Sequence, residues 1–167
     1  MVDWSGRGRL EFWLPLLVIA LDQATKLMVR AAIPLYESIE IIPGLLNFTH
    51  VRNTGAAFGL LNAADIPYKT VLISLIAGAG FVGIALYSMT LPRDQVMARA
   101  GLALVLGGAA GNLIDRMIEG SVVDFVDVYW GQYHFWAFNV ADSAITVGVS
   151  VMLLDMLLAG ARVSKAA

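Results

Sequence analysis

The feature that most constrains this chain is a run from residue 71 to residue 92 that contains no charged side chain. A helix needs about 20 mostly apolar residues to cross the hydrocarbon core of a bilayer. We place the helix of this run at about 69–90, and three further segments, 12–30, 96–114 and 135–161, are long and apolar enough to cross as well. The sequence therefore predicts an all-α membrane protein with four transmembrane helices, forming a single integral membrane domain over residues 1–167.

The composition agrees with this prediction and excludes several other classes of protein. Hydrophobic residues make up 59% of the chain and charged residues 14%, whereas soluble domains carry about 25% charged residues. A soluble domain of 167 residues has too little interior to hide so much apolar surface. The net charge of −2 predicts no nucleic-acid partner. The absence of cysteine excludes disulfides and cysteine-based nucleophiles.

The distribution of Lys and Arg predicts the orientation in the membrane. Six of them lie in the two terminal segments and the connection between the second and third helices, against four on the other side. The positive-inside rule then places both termini in the cytoplasm. The first apolar segment follows Arg7 and Arg9 as a signal peptide would. Because Asp22 and Lys26 come after it, we expect it to be retained.

The two predicted outer loops, 31–67 and 115–134, carry strand-like patterns. Residues 38–53 alternate, are rich in β-branched side chains and are interrupted at Gly44, which predicts a small hairpin or sheet. Residues 122–130 form a second extended candidate. Aromatic residues near the end of the second loop predict an interfacial belt: Trp130, Tyr133, Phe135 and Trp136.

Asp142 is the most conspicuous ionisable residue, since it lies seven residues into the fourth apolar segment. An ionised side chain at the centre of a membrane helix costs about 2.5–3.5 kcal/mol on insertion scales, so it needs a specific role. Asn139 precedes Asp142 by three residues and shares its helical face. The pair is either part of a catalytic or proton-carrying site, or a polar contact that packs the helix against its neighbour.

Three more acids, Asp115, Asp124 and Asp127, precede the fourth segment. Any one of them alone is typical of a solvated loop. Val123 and Phe125 flank Asp124, and apolar surroundings of this kind raise the pKa of a carboxyl group. The same argument applies to Asp127, and the residue types alone do not choose between the two.

Two polar groups lie within the predicted helices. Asn112, Asp115 and Arg116 share one face at the end of the third segment, where they form either a helix-end ion pair or a recognition site for a substrate. Asp22 and Lys26 have the i, i+4 spacing and the order that favour an ion pair on a helix. We expect this pair to be structural and to fix helix packing, and we count Asp115 with it as a structural polar residue.

The remaining motifs predict packing and no metal site. Gly107 and Gly111 have the Gly-x-x-x-Gly spacing that lets membrane helices approach closely. His50 and His134 lack any ligand spacing in the sequence. We therefore expect neither a metal ion nor another cofactor. With no cysteine and no Ser–His arrangement, water is the expected nucleophile of any hydrolysis, and two carboxyl groups sharing one proton can activate it.

Five sequence blocks resemble the bacterial lipoprotein signal peptidases (signal peptidase II), in the order that this family shows. They are LDQATK at 21–26, VRNTGAAFG at 51–59, GGAAGNLIDR at 107–116, VVDF at 122–125 and FNVADSAI at 138–145. The resemblance spans most of the chain. It implies four transmembrane helices with a small extracytoplasmic β-sheet, the β-cradle, which fits residues 38–53.

The resemblance also implies an activity and a set of site residues. Members of the family are aspartyl endopeptidases of the bacterial inner membrane that cleave diacylglyceryl-modified prolipoproteins and are inhibited by globomycin. Their catalytic pair corresponds to Asp124 and Asp142, which favours Asp124 over Asp127. The polar positions of their substrate pocket correspond to Asn53, Asn112, Arg116 and Asn139. We expect a monomer that contacts membrane lipid and needs no metal.

Two other functions compete with this hypothesis. A proton-coupled transporter also carries acids in its helices, but it predicts a polar path that continues to the cytoplasm and often an internal repeat. A structural assembly factor would use every acid for packing. It predicts that replacing Asp124 or Asp142 by Asn has no effect on activity.

Overall fold

The computed structural model describes residues 7–55 and 66–166, which form four long helices and one antiparallel sheet. The helices are α1 (Arg7–Ala32), α2 (Lys69–Thr90), α3 (Val96–Glu119) and α4 (Val140–Ala166). All four are long and apolar enough to cross a membrane. The predicted fold class, four membrane helices with a small β-sheet, is confirmed.

Helix α3 lies at the centre and packs against the other three helices. Glycines allow this close approach, as the Gly-x-x-x-Gly spacing predicts. A Cβ placed on Gly107 would lie 2.8 Å from Cβ of Val18 in α1, and one on Gly111 would lie 2.6 Å from Asp22 Oδ2. Helix α2 packs mainly against α3 and contributes no buried residue. One face of α2 is therefore open toward the lipid or a ligand.

The sheet joins the two long loops. Its strands are β1 (Ser38–Ile42), β2 (Leu46–Asn53), β3 (Val122–Trp130) and β4 (Tyr133–His134), in the order β1-β2-β3-β4. Both segments with strand-like patterns form strands. The antiparallel register between β2 and β3 places Val51 opposite Asp124 and Asn53 opposite Val122. Pairing across the loops thus brings the end of β2 to the start of β3.

The helix ends differ from the predicted ones. Helix α4 begins at Val140 and not near residue 135, because Phe138 still exchanges backbone hydrogen bonds with Val126 of β3. Helix α3 continues to Glu119 and ends at Gly120, whose φ of 70° stops it. At the start of α4 the apolar run crosses the boundary and gives no signal for it, whereas at the end of α3 Gly120 is a helix-ending residue in the sequence itself. The last four residues of the block at 51–59 lie outside the described residues.

The start of β3 is anchored on α1. Val123 and Phe125 form a buried cluster with Val29 and Ile33 at the end of α1. The aromatic side chains predicted to form a belt are largely exposed, Trp130 by 85% and Tyr133 by 86%. Strand β3 is therefore fixed where Asp124 lies and exposed at its far end.

Candidate active site

Asp142 lies in the first turn of α4, where the sequence builds a reciprocal helix cap. Asn139 is the capping residue, and its Oδ1 accepts a hydrogen bond from the Asp142 backbone N–H at 2.9 Å. In return, the Asn139 backbone N–H donates to Asp142 Oδ2 at 3.2 Å. Each side chain thus satisfies a backbone donor that the helix start leaves free. The cap fixes one oxygen of the Asp142 carboxyl group.

The other oxygen of Asp142 is held from α3. Asn112 Nδ2 donates to Asp142 Oδ1 at 2.8 Å. The side-chain amide of Asn112 therefore ties the centre of the bundle to the start of α4. Both oxygens of this carboxyl group accept hydrogen bonds.

Asp124 lies in β3 and is only 4% exposed. Asn139 Nδ2 donates to its Oδ1 at 2.7 Å, and Asn53 Nδ2 donates to its Oδ2 at 3.0 Å. The β2–β3 pairing brings Asn53 into reach, and the helix cap brings Asn139. Two amide groups from two different elements thus hold the second carboxyl group.

The environment of Asp124 favours its protonated form. Burial raises the pKa of Asp124 to about 7, and the negative charge of Asp142 acts in the same direction. The hydrogen bonds from Asn53 and Asn139 act against this rise. Near neutral pH, this carboxyl group is therefore able to hold or release a proton.

A cavity of about 440 Å³ opens onto both carboxyl groups. Asn53, Asn112 and Arg116 contribute to its polar wall. The apolar wall comes from α2, the residues before α4, and α4 itself, and includes Ala77, Gly80, Phe81, Ile84, Phe135, Trp136, Phe138 and Ile145. The cavity thus places two acids beside a large apolar surface.

Arg116 spans α3 and the segment after β2. Its Nη2 donates to the carbonyl oxygen of Gly55 at 3.1 Å, and its Nη1 donates to that of Asn112 at 3.3 Å. The structure therefore brings together all six residues that the resemblance implies for the site. Five of them line the cavity, and the sixth, Asn139, is fully buried and reaches both carboxyl groups.

The Asp22–Lys26 pair lies in the buried interior, as expected for a structural pair, and Asp115 joins it. Lys26 Nζ lies 2.7 Å from Asp22 Oδ2 and 3.0 Å from Asp115 Oδ2. Asp22 Oδ1 accepts the backbone N–H of Ala141 at 2.9 Å, which ties α1 to the start of α4. Asp115 Oδ2 accepts the N–H of Val123 at 3.3 Å, which ties α3 to β3.

Sequence reasoning missed two partners of this buried group. Gln23 Nε2 donates to Asp115 Oδ1 at 3.1 Å and to the carbonyl oxygen of Gly111 at 3.2 Å. Arg30 lies 3.5 Å from Asp115 Oδ1 and 3.1 Å from Glu119 Oε1. The sequence could have predicted the contact of Arg30, because Arg30 lies one turn after Lys26 on the same helical face.

Asp127, the alternative to Asp124, lies elsewhere. It accepts a hydrogen bond from Asn47 Nδ2 at 3.0 Å, and its Oδ1 lies within hydrogen-bond distance of His134 Nδ1, at 2.9 Å. Side chains alternate along a strand, so residues three apart face opposite sides. The alternation of side chains along the predicted strand could therefore have shown that Asp124 and Asp127 do not share one site. Among residues 7–55 and 66–166, no group of three His, Cys, Asp or Glu side chains has a geometry that would hold a metal ion.

Comparisons with known proteins place this arrangement in context. Residues 14–158 match the family model described as signal peptidase (SPase) II. The lipoprotein signal peptidase of Geobacter sulfurreducens is 48% identical over 139 residues, which cover 83% of this chain and 86% of that protein. The lipoprotein signal peptidase of Pseudomonas putida is 46% identical over 155 residues, covering 91% and 90%.

Solved structures support the same relationship. A bacterial membrane enzyme determined at 2.3 Å resolution superposes with a TM-score of 0.78 at 31% identity, covering 88% of this chain and 87% of that one. A second bacterial membrane enzyme, at 1.9 Å resolution, gives a TM-score of 0.77 at 27% identity and covers 88% and 92%.

Proposed function

The chain belongs to the signal peptidase II family of membrane peptidases, and from this premise we propose that it is an aspartyl endopeptidase. It removes the signal peptide from diacylglyceryl-modified bacterial prolipoproteins. Asp124 and Asp142 form its catalytic pair. The enzyme works as a monomer in the inner membrane, with both termini in the cytoplasm and the active site near the outer leaflet.

The observation that carries this proposal is the pair of carboxyl groups at one cavity, each on a different element and each with both oxygens held. A buried pair of acids near neutral pH retains one proton between them. The ionised member removes a proton from water, which attacks the scissile carbonyl carbon. The protonated member donates to the carbonyl oxygen, and the proton then passes to the leaving amine.

The walls of the cavity fit a lipidated peptide. The apolar side, with Gly80 and Phe81 of α2 and Ile145 of α4, suits acyl chains or an apolar signal peptide. Helix α2 has no buried residue, so a substrate can reach the cavity sideways from the bilayer. The polar side orients the scissile bond. Asn53, Asn112, Arg116 and Asn139 line or support this side, and inhibitors of the globomycin type would occupy the same space.

A cleavage assay with three matched variants tests the proposal. Purified protein is incubated with a diacylglyceryl-modified prolipoprotein, and release of the signal peptide is followed. Asp124→Asn and Asp142→Asn should give folded protein without turnover. Asp127→Asn is the control, because it lies on the same strand but pairs with His134. It should cleave at close to the wild-type rate.

The outcomes separate the alternatives. Cleavage that survives either Asp124→Asn or Asp142→Asn would remove that residue from the catalytic pair. No cleavage of a known lipidated substrate by folded wild-type protein would overturn the proposal and return attention to proton transport. Full activity without the diacylglyceryl group would contradict only the proposed lipid requirement.

A further inference from the structure

Three asparagine side chains donate hydrogen bonds to the two carboxyl groups of the site. Asn53 and Asn139 donate to Asp124, and Asn112 donates to Asp142. The oxygen and nitrogen ends of a side-chain amide have nearly the same shape, so each amide is able to face either way. A reversed amide would point a carbonyl oxygen at a carboxylate and repel it. The orientation of each amide, with its NH2 group toward the carboxyl group, therefore has to be fixed by a second group that contacts its oxygen.

Backbone N–H groups fix the orientation of two of these amides. The N–H of Gly55 donates to Asn53 Oδ1 at 2.9 Å. The N–H of Asp142 donates to Asn139 Oδ1 at 2.9 Å. A backbone N–H only donates, so the oxygen of each amide must face it, and the NH2 group must face Asp124.

Asn112 depends on a side chain instead. Its Oδ1 accepts a hydrogen bond from Lys26 Nζ at 2.9 Å and a longer one from Asn139 Nδ2 at 3.2 Å. An ammonium group has three donors and no acceptor. The oxygen of Asn112 must therefore face Lys26, and its NH2 group is left for Asp142.

The position of the Lys26 ammonium group is itself fixed. It donates hydrogen bonds to Asp22 Oδ2 and Asn112 Oδ1, and Asp115 Oδ2 lies 3.0 Å from it as the second member of an ion pair. Lys26 has no exposed surface, and the charges of Asp22 and Asp115 face it from α1 and α3. Two ion pairs thus hold the ammonium group at the place from which it donates to Asn112.

We propose that Lys26 is a positioning residue for the reaction, which holds the Asn112 amide so that its NH2 group faces Asp142. This inference rests on the proposed catalytic pair. Lys26 is fully buried and is not among the residues that line the cavity, so it acts through Asn112. Losing it should lower kcat more than it raises KM, since the Asn112 amide that Lys26 holds donates directly to the reacting carboxyl group of Asp142.

Four variants in the cleavage assay test this role under single-turnover and steady-state conditions. Lys26→Met removes the ammonium group and keeps an unbranched apolar side chain of about the length of the lysine stem. It should lower kcat by roughly 10- to 100-fold, by analogy with the loss of a residue that orients a metal ligand. Asn112→Leu removes the amide. The double variant Lys26→Met/Asn112→Leu should be no slower than Asn112→Leu alone, because Lys26 has nothing left to orient.

Arg30→Met is the matched control. Like Lys26, Arg30 pairs with Asp115, at 3.5 Å. Its other ion-pair partner is Glu119 and not Asn112. It should keep kcat within about threefold of wild type. If Lys26→Met alone fails to fold, Lys26→Met/Asp115→Asn replaces it. That variant removes one charge of each sign and leaves Asp22 with the N–H of Ala141 as a donor.

Each result decides for or against the inference. Wild-type kcat in folded Lys26→Met, a loss confined to KM, or losses that multiply in the double variant would overturn it. Failure of the charge-balanced variant to fold would also overturn it, because the buried ion group of Lys26 and Asp115 would then be a requirement of folding. An inactive wild type, or active Asp124→Asn and Asp142→Asn, would instead count against the catalytic pair itself.

Discussion

Asn139 donates its side-chain amide to Asp124 Oδ1 at 2.7 Å. Through its backbone N–H and its own Oδ1, the same residue also forms the cap with Asp142. One asparagine thus joins a strand acid and a helix acid that are 18 residues apart in the sequence. The separation and the orientation of the two carboxyl groups depend on it.

Two substitutions at Asn139 separate its two roles. Asn139→Asp keeps an oxygen for the Asp142 N–H and so keeps the helix cap, but it places a third carboxyl group against Asp124. We expect a folded protein with almost no turnover. Asn139→Ala loses the cap as well, which costs about 1 kcal/mol of stability. Thermal unfolding should show that Asn139→Ala is less stable than Asn139→Asp. The cleavage assay should find almost no turnover in Asn139→Asp, and an active Asn139→Asp would contradict the prediction.

Activity should fall as the pH rises through about 7. The pKa of Asp124 is raised to about 7, first by burial and then by the charge of Asp142. Above that pH the pair loses its shared proton and no longer has an acid to protonate the leaving group. The pH profile of kcat/KM should therefore show an alkaline limb near 7, which belongs to the pair and not to one residue. A flat profile between pH 5 and 9 would argue against a two-carboxyl mechanism.

The raised pKa of Asp124 should also make the free energy of unfolding depend on pH. The pKa of Asp124 is near 3.9 in the unfolded chain and about 7 in the folded one. Between these values the folded state binds more protons, so stability falls as the pH rises from about 4 to 7 and then levels off. Asp124→Asn removes this dependence. Its melting temperature relative to wild type should rise across that window, and a constant difference would contradict the buried, raised pKa.

The helices were predictable because a bilayer demands long apolar runs, and residues 71–92 satisfy that demand without ambiguity. The three-residue spacing of Asn139 and Asp142 likewise contained the helix cap. The pairing of β2 with β3 was not predictable from the residues alone. It joins segments separated by the whole of α2 and α3, and no local pattern specifies a partner that distant.

The boundary of α4 shows the same limitation. Residues 135–139 are as apolar as the helix that follows, so hydropathy extends the span through them. Backbone hydrogen bonds between Phe138 and Val126 hold this segment against β3 instead. Tertiary pairing therefore sets where the helix begins, and with it the place of Asp142 in the first turn.

Glycine substitutions test whether close packing of α3 and α4 holds the site together. A Cβ on Gly108 would overlap the carbonyl oxygen of Ala141 and lie 2.8 Å from Cγ1 of Ile145. Gly108→Ala should therefore lower stability by roughly 1–3 kcal/mol, as overpacking does. It should also reduce turnover, because Ala141 immediately precedes Asp142.

Gly78→Ala in α2 is the matched control, because no described atom lies within 4 Å of a Cβ built there. Alanine favours helix over glycine by about 1 kcal/mol in soluble hosts, so this variant should unfold at the wild-type temperature or slightly above it. Both proteins are compared by thermal unfolding in the same detergent and by cleavage rate. If Gly108→Ala is as stable and as active as Gly78→Ala, the contact between α3 and α4 at Ala141 does not position the carboxyl group of Asp142.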